Sequence, residues 1–61
     1  MTQLQNRAAT ALDRTHNPAL VLANDPYTVK VRAYLAAWLD GKRMKATFVI
    51  TCCRWLEMVA A

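Results

Sequence analysis

The residues of this chain that could do chemistry are two adjacent cysteines, one histidine and four separate acids. Zinc sites and redox dithiols both favour a C-x-x-C spacing, which Cys52 and Cys53 lack. On a helix, adjacent side chains diverge by about 100°, so these two thiols cannot easily share one ligand shell. Neighbouring cysteines also rarely bridge each other, because the ring would strain the peptide. We predict that the pair is buried as small hydrophobic side chains, and we expect neither a metal site nor a cofactor.

The histidine and the acids form no catalytic pattern. His16 lies in the stretch RTHNP, with no nucleophile or acid identified beside it as a reaction partner. The acids are scattered singly: Asp13, Asp25, Asp40 and Glu57. No Gly-rich phosphate loop and no nucleophile elbow appears, and a chain of 61 residues has little room for a ligand pocket. We therefore expect no small-molecule substrate and a protein that is not an enzyme.

Composition indicates one small helical domain covering residues 1–61. Hydrophobic residues make up 56% of the chain and charged residues 20%, with one Gly and two Pro, which disfavours disorder and a many-turned β fold. The N-terminus lacks the apolar region of a signal peptide, and no apolar run is long enough to span a bilayer. Two cysteines cannot build a secreted disulfide scaffold. We expect a cytoplasmic protein with no membrane contact.

Capping signals and periodicity predict an all-α fold. A minor first helix covers about residues 2–15, with Thr2 as its N-cap and a shallow apolar side formed by Leu4, Ala8, Ala11 and Leu12. It should pack closely on a neighbour or dock only weakly. The Asp25–Pro26 pair starts a second helix, about 26–40, which Gly41 ends.

The last element needs a choice between strand and helix. Residues 44–53 alternate in a way that suits a strand, but a helical apolar spacing continues to the end of the chain. We therefore predict a helix over about 43–60, forming a two-helix hairpin with the second helix. The conformation of residues 17–25 stays open between an extended connector and a short helix, which we favour.

The third helix has an apolar face about twice as wide as the ordinary stripe of roughly 100°. One side can pack on the second helix, whereas the other needs a further partner. An exposed apolar patch usually marks a protein contact, and a two-fold homodimer is its simplest form. The partner-binding candidates are aromatic or apolar anchors with polar rims: Tyr34, Trp38, Trp55, Met58, Arg32 and Arg54.

Positive charge is concentrated in residues 30–45, where Asp40 is the only acid, and the net charge is +4. Lys30 and Arg32 point about 160° apart on a helix, so they do not form one face. Lys42, Arg43 and Lys45 crowd one corner and could hold phosphates through charge.

Two functions follow from these surfaces. The first is a non-enzymatic interaction protein that binds a larger host or cellular protein and modulates or inhibits it. Small chains of this kind are often encoded by phages or plasmids, and we expect such a source. The alternative is a small basic dimeric DNA-binding regulator, whose phosphate contacts would be Lys30, Lys42, Arg43 and Lys45. A structural subunit that is unfolded alone is a third possibility.

Overall fold

The computed structural model describes every residue from Met1 to Ala61 and contains three α-helices and no strand: α1 (Gln3–Arg14), α2 (Pro26–Leu39) and α3 (Ala46–Ala60). Each helix contacts the other two, in a bundle that measures 29 × 19 × 18 Å. The all-α class predicted from the sequence is confirmed.

Helix α1 begins with a reciprocal capping box. The Thr2 hydroxyl accepts a hydrogen bond from the backbone N–H of Gln5 (3.1 Å), and the Gln5 side chain accepts one from the backbone N–H of Thr2 (2.8 Å). Two N–H groups that a helix start leaves unsatisfied are thereby bonded. At the other end, the hydroxyl of buried Thr15 donates to the carbonyl of Ala11 (2.8 Å). The predicted N-cap at Thr2 is confirmed.

Helix α2 also has the predicted ends. The Asp25 carboxylate accepts a hydrogen bond from the backbone N–H of Tyr27 (3.0 Å), and Pro26 occupies the first helical position. At the C-terminus Gly41 has a φ of 112°, a left-handed conformation that costs little without a Cβ. Its N–H donates to the carbonyl of Trp38, while that of Lys42 donates to Ala37. This pattern is a Schellman ending.

Residues 17–25 form turns, so the short helix that we favoured for them is wrong. Three successive hydrogen bonds join residues three apart: Leu20 to Asn17, Ala23 to Leu20 and Asp25 to Leu22. A segment this short gains too few bonds to offset the cost of starting a helix. The following Pro26 also disfavours the helical conformation for the residue before it.

Helix α3 starts at Ala46, three residues later than the sequence suggested. Arg43 and Lys45 therefore belong to the connector, with Lys45 at the N-cap position in an extended conformation and no side chain capping the helix. Basic residues are poor starters of a helix because they lack an acceptor and repel the positive N-terminal end of its dipole.

The core lies where all three helices meet, and α3 supplies the largest share of it. Its members are Ala8, Ala11, Val31, Leu35, Val49, Cys52, Cys53 and Leu56. Close packing of α1 is confirmed, since Ala8 and Ala11 are 0% and 2% exposed. The wide apolar face of α3 thus contacts α2 on one side and α1 on the other. Phe48 and Met58 on this face remain 41% and 47% exposed.

Candidate interaction surface

Four aromatic rings form a ladder of two pairs where α2 meets α3. Tyr27 contacts Trp55 with ring centroids 4.8 Å apart, and Tyr34 contacts Phe48 at 5.3 Å, both edge to face. Each helix contributes rings seven residues apart, so the two pairs lie about 10.5 Å apart on the same side of the bundle. The pairing also shows that α2 and α3 run in opposite directions. We call these four residues the aromatic seam.

Much of the aromatic seam faces solvent. Tyr27 is 50% exposed, Tyr34 38% and Phe48 41%, whereas Trp55 is half-buried. Met58, one turn beyond Trp55 on α3, is 47% exposed and extends the apolar surface. Edge-to-face contact is a preferred arrangement of aromatic pairs, and the parts of these rings outside the contact face solvent.

A buried hydrogen bond fixes the orientation of one seam ring. The indole N–H of Trp55 donates to the hydroxyl oxygen of Thr28 over 2.9 Å, and Thr28 is fully buried. The indole therefore has its polar group satisfied inside the bundle. What it presents outward is apolar ring surface in a set position, which is the kind of preorganised contact that binding favours.

The structure brings together three of the four predicted anchors. Tyr34 and Trp55 belong to the aromatic seam and Met58 adjoins it. Trp38 follows Tyr34 by one turn, but it is half-buried against the core. The two seam rings not chosen from the sequence, Tyr27 and Phe48, could have been found from the seven-residue spacing that each shares with a chosen anchor.

The two predicted polar rims lie on different faces. Arg54 is exposed on α3. It lies three residues after Thr51 and four before Met58, which places it beside Met58 at the border of the aromatic seam. Arg32 instead lies on the far side of α2, where its guanidinium donates to the carbonyl of Leu12 (3.2 Å) at the end of α1. Its Nε is buried without a protein partner. Arg32 thus joins α2 to α1 and does not border the aromatic seam.

An ion pair that the sequence analysis missed joins α1 to α3. The guanidinium of Arg7 donates two hydrogen bonds of 2.7 Å to the carboxylate of Glu57. This contact raises the pKa of Arg7 and lowers that of Glu57. The two residues are fifty positions apart, and no local sequence pattern signals such a pair. Both side chains are well exposed, at 39% and 44%.

The cysteines are buried and free, as predicted. Burial raises the pKa of the Cys52 thiol and, against the opposing effect of Arg7, that of Cys53. Protonated thiols are poor nucleophiles and poor ligands, so the two side chains act as core packing. No three of the His, Cys, Asp and Glu side chains lie close enough together to hold a metal ion.

Surface depressions lie to the side of the aromatic seam. One, of about 450 Å³, lies between α1 and the C-terminal end of α3 around the Arg7–Glu57 pair. Another, of about 440 Å³, lies between the segment that joins α1 to α2 and the end of α3. All the residues that line it are apolar: Ala19, Leu20, Val21, Leu22, Met58, Val59 and Ala61. No helix has the length and apolar content that crossing a membrane requires.

The predicted phosphate contacts separate into two places. Lys42, Arg43 and Lys45 are all exposed and surround the start of α3, and we call them the basic corner. Lys30 lies ten residues before the C-cap of α2 at Asp40, about 15 Å along the helix. It stands between Tyr27 and Tyr34 on the side of the aromatic seam.

Comparison of the chain with protein-family models, with curated proteins and with solved structures gives no match. The function is inferred below from the geometry of the aromatic seam and the basic corner.

Proposed function

We propose that this chain is a small non-enzymatic interaction protein that binds a larger macromolecular partner through the aromatic seam. Binding would modulate or inhibit the partner by occupying part of its surface. The supporting observation is the pair of edge-to-face ring contacts, because three of the four rings remain 38–50% exposed and are not buried in the core. Aromatic residues also dominate the binding energy of protein interfaces.

The charges and the packing around the aromatic seam suit a different protein better than a second copy of this chain. Helix α1 packs on α3 and covers part of the apolar face for which the sequence predicted a dimer, while Phe48 and Met58 stay exposed. The aromatic seam is the apolar surface that remains for self-association. Lys30 stands on it, and the acids nearest in sequence, Asp25 and Asp40, lie at the two ends of α2. A self-complementary interface would therefore bring like charges together.

A binding assay with matched surface variants tests the proposal. The full chain is used to capture proteins from lysate of its native cell with and without nuclease, and stoichiometric partners are identified by mass spectrometry. The Tyr34→Ala/Phe48→Ala double variant should lose the nuclease-resistant partner while its circular dichroism stays helical. Val29→Ala is the control, because Val29 is 56% exposed and lies on the opposite side of α2. Equal capture by both variants would refute binding through the aromatic seam.

A second candidate function is phosphate contact with nucleic acid through the basic corner. It is favoured by the open start of α3, where no side chain occupies the cap beside three exposed cations. Unpaired backbone N–H groups and the positive end of the helix dipole favour anions. The expected partner would be the DNA backbone, read through charge and not through base edges.

Salt dependence separates the two candidates. Binding of a labelled DNA duplex through the basic corner should weaken steeply as salt rises, because counterions are released on binding. The Arg43→Gln variant should bind more weakly than Arg14→Gln, which removes the same charge from an exposed position outside the basic corner and the aromatic seam. Equal weakening would mean that net charge alone is responsible, and the basic corner would then have no special role.

A further inference from the structure

The charge around the aromatic seam is one-sided. Lys30 lies between its two tyrosines on α2, Arg54 flanks it on α3, and Lys45 lies one turn before Phe48; all three are exposed. The acids lie away from its centre. Glu57 is held by Arg7 on the α1 side of α3, and its pKa is lowered mainly by that hydrogen bond and also by the charge of Arg54. Asp25 caps the start of α2 through the backbone N–H of Tyr27.

The spacing of the rings matches that of side chains on a helix. Because the rings of each helix are seven residues apart, the two pairs are separated by about 10.5 Å along the helix axes, and a helix that runs parallel to them advances by the same amount between its positions i and i+7. A helix laid along the seam could place one apolar residue against each ring pair, and a third near Thr51 between them. Recognition of an amphipathic helix commonly uses such i, i+3/i+4 and i+7 anchors.

The exposed cations beside the aromatic seam favour acidic residues at the edges of the apolar stripe of such a bound helix. Lys30 on α2 and Arg54 on α3 lie on either side of the aromatic seam and would reach the two edges of a bound helix. Carboxylates at those edges would complement them, whereas basic residues would be repelled. A second copy of this chain has no carboxylate free at the corresponding positions of its own seam, so it is a poor match.

We propose that the occupant of the aromatic seam is an amphipathic α-helix of another protein whose apolar stripe is bordered by Asp or Glu. This inference rests on the proposed function, since it specifies the chemistry of the partner bound at the same surface. It assigns Lys30 and Arg54 the role of selecting the partner and the four rings the role of anchoring it.

A selection from a displayed peptide library tests this chemistry while the natural partner is still unidentified. The immobilised full chain is offered random peptides of about 16 residues, which span about 24 Å as helices. The expected enrichment is a helical apolar pattern with Asp or Glu beside it. A synthetic copy of an enriched peptide should bind at least tenfold more weakly to Lys30→Glu/Arg54→Glu and to Tyr34→Ala/Phe48→Ala, and about as well to Val29→Ala.

The outcomes distinguish failure of this inference from failure of the proposed function. Enriched peptides that need the rings but show no acidic preference would overturn the inference and leave the seam as a binding surface. Peptides that bind Tyr34→Ala/Phe48→Ala unchanged, or a selection that enriches nothing, would overturn both. A dimer in sedimentation that Tyr34→Ala/Phe48→Ala dissociates would identify a second copy as the occupant and overturn the acidic helix. If a DNA duplex displaced the peptide from wild type and bound more weakly to Lys30→Glu/Arg54→Glu, nucleic acid would be the occupant and the acidic helix would be overturned.

Discussion

Helix α3 is packed in two different ways on its two sides. Toward α1 it meets small residues, with Ala8 and Ala11 almost fully buried, so the helices approach closely and little apolar surface is left outside. Toward α2 it meets aromatic rings that are too large to bury completely and remain 38–50% exposed at Tyr27, Tyr34 and Phe48. The first side leaves the small residues buried in the core, while the second stabilises the bundle and leaves ring surface exposed, which is the surface that we propose for binding.

This difference implies that substitutions on the two sides should separate stability from binding. Removal of volume on the α1 side should destabilise the fold, because the neighbours are close-packed and cannot collapse into the space. Truncation of exposed rings on the seam should cost less stability, since their outer surfaces already face water. The predictions below test this separation in order of decreasing effect.

The largest effect is expected for Leu56→Ala, which removes a side chain that is 0% exposed where α3 meets the core. Loss of a buried leucine costs about 2–5 kcal/mol, while a domain of 61 residues is stable by only about 3–9 kcal/mol. The variant should be largely unfolded or unfold at much lower urea concentration. Met58→Ala, on the exposed side of the same helix, is the control. Similar urea midpoints for the two variants would contradict the packing described for α3.

A smaller loss is expected when the close approach of α1 is disturbed. Ala8→Leu adds volume to a site that is 0% exposed and should cost about 1–3 kcal/mol by overpacking. Ala33→Leu makes the same change at an exposed position of α2 and should change stability by less than about 0.5 kcal/mol. Urea unfolding followed by circular dichroism measures both. If Ala8→Leu were as stable as the control, α1 would not pack through its small residues.

The hydrogen bond behind the aromatic seam should contribute less again. Trp55→Phe keeps most of the ring but leaves the buried Thr28 hydroxyl without its donor, at a cost of about 1 kcal/mol. Adding Thr28→Val removes the unpaired hydroxyl, so the second change should cost less in the Trp55→Phe background than in the wild-type chain. A double-mutant cycle of unfolding free energies measures this coupling. Additive losses would mean that the bond does not stabilise the fold.

Local signals account for most of what could be predicted. The ends of α1 and α2 depend on residues adjacent in sequence: the Thr2 box, the Asp25–Pro26 start and the Gly41 ending. The start of α3 was misplaced because Met44 continues the apolar spacing of the helix, while Lys45 at the N-cap position makes no side-chain hydrogen bond. Residues 17–25 were misjudged because Asn17–Pro18 has the form of a helix start, although too few residues follow it before Pro26.

Tertiary contacts account for most of what the sequence could not reveal. The sequence left open whether α1 would pack closely or only weakly, because the depth to which Ala8 and Ala11 pack depends on contacts with the other helices, and the homodimer stays a prediction. Arg32 was placed on a rim because helical position alone did not show the carbonyl of Leu12 beside it. Only Tyr34 and Trp55 of the four seam rings were chosen as anchors, because the pairing of the rings depends on how α2 and α3 align.

The smallest effect, on the α1 side, is expected from the Arg7–Glu57 ion pair. The pKa of Glu57 is lowered in the folded chain, so its contribution is present above the pKa of an unfolded glutamate, near 4.5, and is lost as pH falls through the lowered value. Glu57→Gln should therefore be slightly less stable than wild type at pH 7, and the gap in urea midpoint should close as the pH falls through the lowered pKa of Glu57. The gap should also narrow in high salt, because exposed ion pairs are screened.

A gap that persists at low pH would show that Glu57 acts through packing and not through its charge. The expected closing of the gap, beside the larger loss in Ala8→Leu, would mean that α1 is held by close packing with the ion pair as a minor addition.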